Sequence, residues 1–124
     1  MSAEENKQHA EAAYEAFNEG DAAGAMANMD DGAVWTVGGD NSLTGTYRGK
    51  EEIGGLWAKF AEKGLKTEPH DFIADGDKVV VLTTAGMDGE SGEAADVLTF
   101  NQEGKLTGFE QIGDPAIGNR VFAR

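Results

Sequence analysis

Residues 65–113, LKTEPHDFIADGDKVVVLTTAGMDGESGEAADVLTFNQEGKLTGFEQIG, carry strand and turn signals and no helical period. Asp75-Gly76 and Glu103-Gly104 are hairpin-turn dipeptides, and MDGESGE (residues 87–93) predicts a third, looser turn. The runs between them predict four strands that can pair as an antiparallel meander. Pro69 cannot donate to a strand ladder, which places its segment at an edge or a bulge. Within Ala94–Phe100 successive side chains point to opposite faces, so Ala94, Asp96, Leu98 and Phe100 share one side. That side is apolar except for one carboxylate, and Asp96 therefore asks for a reason.

Upstream the period changes to that of helices. Ser2 followed by Glu5 reads as a capping box and opens a helix at about residue 3. Ala10, Ala13, Tyr14 and Phe17 then form one buried stripe. Gly20 suits a helix stop, and Asp21 can cap a second short helix with Ala22, Ala25, Met26 and Met29 on one side. GAVWTVGG (residues 32–39) predicts a strand, and DNSLTGTYRG (residues 40–49) a loop. In residues 50–64 Ile53, Leu56, Trp57 and Phe60 repeat the helical spacing, despite Gly54-Gly55, each of which weakens a helix by ~1 kcal/mol against alanine. Gly64 ends it. The elements predict one α+β domain over residues 1–124: three N-terminal helices packed as a layer on one strongly curved, mostly antiparallel sheet.

Ten basic and 23 acidic residues give a net charge of −13. Such a chain repels phosphates, which argues against nucleic acid or an anionic membrane as partner. There is no cysteine, so disulfides, thiolate nucleophiles and Cys-based zinc sites are excluded. No run approaches the ~18 apolar residues of a membrane span, and the acidic N-terminus is unlike a secretory signal, so the expected location is cytoplasmic. The acidic pairs Asp30-Asp31 and MDGESGE do not match a calcium loop, and the two histidines stand far apart, so no metal site is expected.

YEAFNEGD (residues 14–21), GTYRGKEEI (45–53), ADGDKVVV (74–81) and FNQEGKLTGFEQIGDP (100–115) resemble the SnoaL-like and ketosteroid-isomerase-like proteins of the nuclear transport factor 2-like superfamily. The resemblance covers about residues 8–115 and implies the cystatin-like fold, a cone of curved sheet plugged by helices. It also implies an apolar pocket inside the cone, a small apolar organic ligand, chemistry without a cofactor, and a homodimer. One fold of this kind hosts isomerases, cyclases, hydrolases and inert binding modules, so the resemblance carries the architecture further than the activity.

By that resemblance Asp96 falls where ketosteroid isomerases place an acid of the oxyanion hole. The handling of such an acid is known in outline: an apolar site keeps it protonated so that it can donate a hydrogen bond. The residues give the same expectation, because an acid flanked by Ala94, Leu98 and Phe100 is desolvated and its pKa rises. The isomerase tyrosine's place matches Ala13 rather than Tyr14, about 100° away around a helix, and the isomerase base falls at Val37. Tyr14 is therefore not expected to stand in, and steroid isomerisation by the usual route is disfavoured. An Asp-Arg-Asp hydrolase relay also fails, since none of Arg48, Arg120 and Arg124 lies beside Asp96 in sequence.

The candidate catalytic residues are then Asp96 as acid or hydrogen-bond donor, with Asp114 or His70 as proton acceptor, in an isomerisation, aldol-type cyclisation or dehydration. Asp114 precedes Pro115 and can equally be a turn residue. Trp35, Tyr47, Leu98, Phe109 and Gln111 are the candidate ligand contacts, whereas Trp57 and Phe60 on their helical stripe are expected to be core. The alternative is a ligand-binding or dimerisation module of the same fold without chemistry.

Overall fold

The computed structural model describes residues 2–124. Helix α1 (Ala3–Asn18) starts at the capping box: Glu5 N donates to Ser2 Oγ at 3.1 Å and Ser2 N to Glu5 Oε1 at 3.3 Å. Ser2 Oγ also donates to Glu5 Oε1, at 3.1 Å, and the backbone and side-chain bonds from Ser2 favour the ionised carboxylate and hold the Glu5 carboxyl below its ordinary range. Asp21 caps α2 (Ala22–Met26) by accepting from Gly24 N at 2.8 Å. Helix α2 ends three residues sooner than its stripe predicts, because Met29 already belongs to β1 (Met29–Val37) and is buried there. β2 (Gly45–Arg48) lies in the stretch expected to be loop and leads into α3 (Gly49–Glu62). β3 (Lys66–Asp75), β4 (Lys78–Met87), β5 (Glu90–Phe100) and β6 (Leu106–Gly113) follow, then a short helix α4 (Ala116–Val121).

The six strands form one sheet in the order β2-β1-β6-β5-β4-β3. Strands β3 to β6 pair antiparallel as expected from the turn signals, and β1 closes onto β6 in parallel. The turn between β4 and β5 is tighter than its sequence suggests: Asp88 and Gly89, both at positive φ, make it alone. Pro69 is at once on an edge strand and beside a bulge, since the β3–β4 register shifts between Pro69 and Asp71. Helices α1 and α3 lie against the inner face of the curved sheet. Ala10, Tyr14, Val79, Val81, Leu98 and Phe100 pack together there, and Ala25, Met29, Ala33, Ile53 and Trp57 form a second cluster.

Helix α4 carries no period long enough to announce itself. Its place is set by side chains of its neighbours. Asn119 Oδ1 accepts from Asp40 N at 2.7 Å and from Asn41 Nδ2 at 3.0 Å, and Ser42 N donates to Phe122 O at 2.8 Å. Arg120 pairs with both carboxylate oxygens of Glu90, its Nε reaching Oε2 at 2.7 Å. Gly39, at φ +86°, sits so close beneath that an added Cβ would lie 2.7 Å from Asn119 Oδ1.

Among the described residues only four ion pairs form, and Asp96 is the one buried acid, so the other carboxylates crowd the surface largely unpaired. Raising NaCl from about 0.01 M to about 1 M shortens the screening length from ~30 Å to ~3 Å. The unfolding midpoint at neutral pH is expected to rise by several degrees over that range, as measured by circular dichroism melting.

Candidate active or binding site

The alternation of β5 turns Ala94, Asp96, Leu98 and Phe100 inward, and Asp96 is 1% exposed. In the sheet its register partners are Val81 on β4 and Gln111 on β6. Both carboxylate oxygens are engaged. The Tyr14 hydroxyl, from α1, donates to Oδ2, and Gln111 Nε2 donates to Oδ1 at 3.0 Å. Burial pushes the Asp96 carboxyl above its ordinary range, and the two donated hydrogen bonds oppose that rise without cancelling it. The Tyr14 phenol is also raised, first by its own burial and then by the neighbouring Asp96 charge. A desolvated acid and a phenol that holds its proton therefore face each other.

The pair opens onto a cavity of about 630 Å³. Trp35 and Phe109 stack with ring centroids 3.6 Å apart and planes 11° from parallel. Trp57 sets its ring edge to face against both Trp35 (5.4 Å) and Phe17 (5.2 Å). Helix α4 stands at the mouth, where Ile117, Arg120 and Phe122 join the lining. The hollow thus has aromatic walls, one polar end at Tyr14–Asp96–Gln111, and an ionic rim at Glu90–Arg120.

Asp96, Leu98, Trp35, Phe109 and Gln111 come together around this cavity. Asp114 reaches only the rim, where its Oδ1 accepts from Ala116 N at 2.9 Å and starts α4. It lies just past the end of β6, three residues on from Gln111 and about 10 Å away at the rise of a strand. His70 is not in the cavity. The bulge beside Pro69 breaks the alternation that would have aimed it inward, and its exposed ring meets Thr84 Oγ1 at 2.6 Å on the outer face, 3.9 Å from Glu93. Tyr47 does not line the cavity either, because its hydroxyl is spent on Leu43 O at 2.7 Å. Trp57 and Phe60, expected as plain core, do line it. Tyr14, set aside because its place in the family pattern is one residue off, is the residue that meets Asp96. The signal for it was present: Tyr14 lies on the α1 stripe, and an inward acid needs a donor.

The sequence profile of the SnoaL-like domain matches residues 10–109. No functionally curated protein matches the chain. Among solved structures, it is similar over the full length of both chains to a nuclear transport factor 2-like protein of unknown function from Burkholderia pseudomallei (27% identity, TM-score 0.83). TerC, co-crystallised with polyporic acid, shares 26% identity over 97% of this chain and 99% of its own (TM-score 0.79). A protein of cystatin-like fold from Xanthomonas campestris aligns over 96% of this chain and 98% of its own at 20% identity (TM-score 0.86), a likeness of fold alone.

Replacing Asp96 isolates its titration. A carboxyl whose folded pKa is raised leaves stability intact below its unfolded value and loses it as pH rises through the folded value. Asn mimics the neutral acid and does not titrate. The stability of Asp96→Asn relative to wild type is therefore expected to increase as pH rises above about 4, measured by urea unfolding at each pH.

Proposed function

The chain belongs to the SnoaL-like domain family, and on that premise we propose that it binds a small apolar organic molecule carrying an aromatic or other planar ring and one oxygen. The observation that carries this reading is the meeting, in one cavity, of the Trp35–Phe109 stack with the Tyr14–Asp96–Gln111 cluster. A hollow of about 630 Å³ has the size of a small-molecule site. Apolar walls supply most of the affinity, and the single polar end orients the ligand. The likeness to TerC, a protein co-crystallised with polyporic acid, points the same way.

A second reading adds chemistry. Tyr14 gives Asp96 a titratable neighbour in a desolvated place, an arrangement suited to proton transfer without a cofactor. Gln111 is the exposed member of the cluster, and its withdrawal frees Asp96 Oδ1 for a ligand carbonyl. In its neutral form Asp96 then donates to the oxygen of a developing enolate, the step shared by isomerisation, aldol-type cyclisation and dehydration. Asp114 at the rim is the acid left to accept a proton from the far end of a ligand. His70, on the other face, has no part in this.

The homodimer belongs to the same proposal. Ile73 (51% exposed), Leu82 (40%) and Ile112 (58%) project from the outer face of the sheet, with Ala95 between Leu82 and Ile112 in register. A second copy laid on this face would bury them. Among the described residues no helix is long and apolar enough to cross a membrane, and a cytoplasmic location completes the reading.

Calorimetric titration with acetophenone and naphthoquinone tests the site. Trp35→Leu keeps the position apolar but removes the stack, and is expected to weaken binding at least about tenfold. Equal affinity in wild type, Trp35→Leu and Asp96→Asn sinks the assignment. Loss of the α-proton of a bound ketone to deuterated water, followed by NMR, tests the chemical reading: Asp96→Asn is expected to slow it by about 10²-fold or more. For the dimer, Leu82→Glu combined with Ile112→Glu is expected to sediment as a monomer where wild type sediments as a dimer.

A further inference from the structure

A second hollow lies beyond the aromatic wall. It is a trough of about 1,070 Å³ between the ends of α1 and α2, helix α3, and the facing ends of β3 and β4. Phe17, Trp57, Leu65, Thr67, Gly86 and Met87 line both the trough and the main cavity, as do Glu90 and Ser91 at the start of β5, so one partition separates the two. On its helical side the trough's walls are Ala22, Ala23, Met26, Gly54, Ala58 and Ala61, small or flexible apolar residues, while Asn18, Lys66, Glu68, Thr84 and Asp88 make its strand side polar.

Gly54 is the informative one. It occupies the interior of α3, where glycine is the poorest helix former after proline. Its backbone does not require glycine, since it is not among the residues at positive φ. Packing does not require it either: an added Cβ would meet only Met26 Cε, at an ordinary 3.6 Å. What a side chain at residue 54 would fill is the trough.

We propose that the trough is a tail subsite of the main cavity, taking an alkyl or isoprenoid chain attached to the ring that lies against Trp35 and Phe109. This rests on the binding reading above. Phe17 and Trp57 hold each other edge to face, whereas Leu65 and Met87 are the flexible members of the partition, and the chain crosses there. Because the two hollows share that wall, one molecule reaches both once Leu65 and Met87 turn aside. A net charge of −13 favours an uncharged extension over an anionic one.

The test is calorimetric titration of the full chain with alkyl phenyl ketones from acetophenone to octanophenone, in wild type and Gly54→Leu. Leucine is the better helix former, so folding is not threatened, and melting curves verify it. Once the main cavity is filled, wild-type affinity is expected to climb roughly fourfold for each further buried methylene. Gly54→Leu is expected to bind acetophenone as wild type does, to stop climbing early, and to bind octanophenone at least about tenfold more weakly. The same climb in both proteins, or an early plateau in wild type, overturns the tail subsite while the ring site stands. A change in oligomeric state with unchanged affinities gives the trough to a second copy and also overturns it. Failure of acetophenone to bind either protein overturns the ring site and the tail subsite together.

Discussion

The hydrogen bond from Tyr14 to Asp96 is the contact around which the inner face of this protein is arranged. A carboxyl taken out of water costs several kcal/mol unless it is paired, and Asp96 is 1% exposed. Its two partners come from different elements, a helix laid across the sheet and the neighbouring strand. Removing either would leave a buried acid short of a donor, so the acid ties α1, β5 and β6 into one relative placement. An apolar residue at position 96 would hold the same three elements by packing alone. It would not fix the angle of the Tyr14 ring, whose hydroxyl must find a partner inside. The buried acid thus specifies geometry more than it adds stability, and the geometry it specifies is that of the cavity's polar end.

How far the sequence foretold this depends on which physical signal each residue carries. Period-two alternation made β5 and the inward direction of Asp96 legible, because a strand's faces follow from counting. Period 3.6 made α1 and α3 legible for the same reason. Counting fails where regularity does. His70 has the parity of an inward residue, and the bulge beside Pro69 turns it to the outer face. Met29 continues the apolar spacing of α2 but begins β1, since an apolar residue at a junction satisfies both periods. Strand β2 is four residues long and α4 six, too short for any period, and both are fixed by contacts distant in sequence, such as Asn119 with Asp40. The family pattern was a sound guide to the fold and a poor one to Tyr14, because a one-residue offset in an alignment is within the freedom of a helix to turn or slide.

The boundary between core and cavity was the least legible feature. Trp57 and Phe60 lie on the same stripe of α3 as Ile53 and Leu56, and nothing in their spacing separates them. Ile53 and Leu56 are sealed, while Trp57 and Phe60 line the hollow. The difference is made by what lies opposite. Where α1 and the meander close on each other, Val79, Val81 and Phe100 fill the space. Toward β1 and α4 the facing residues are a parallel strand and a six-residue helix held by polar contacts, which leave room between them. Large aromatics suit such a place, because a ring held edge to face by its neighbours stays in position with one side uncovered.

That argument also orders the roles of the charges. Nearly all the carboxylates stand on the outside, where they keep anions away from the mouth, and the one inside is screened by a phenol and an amide. A ligand of the proposed kind would meet a negative exterior, an ion-paired rim, largely apolar walls and last the Tyr14–Asp96–Gln111 cluster. Each stage removes a class of molecule: phosphates and other polyanions at the surface, strongly hydrated molecules at the walls, plain hydrocarbons at Asp96, which offers nothing to a ligand without an oxygen. Under the proposed binding role, selectivity follows from that succession, and only its final stage needs a residue placed to within a hydrogen bond's tolerance.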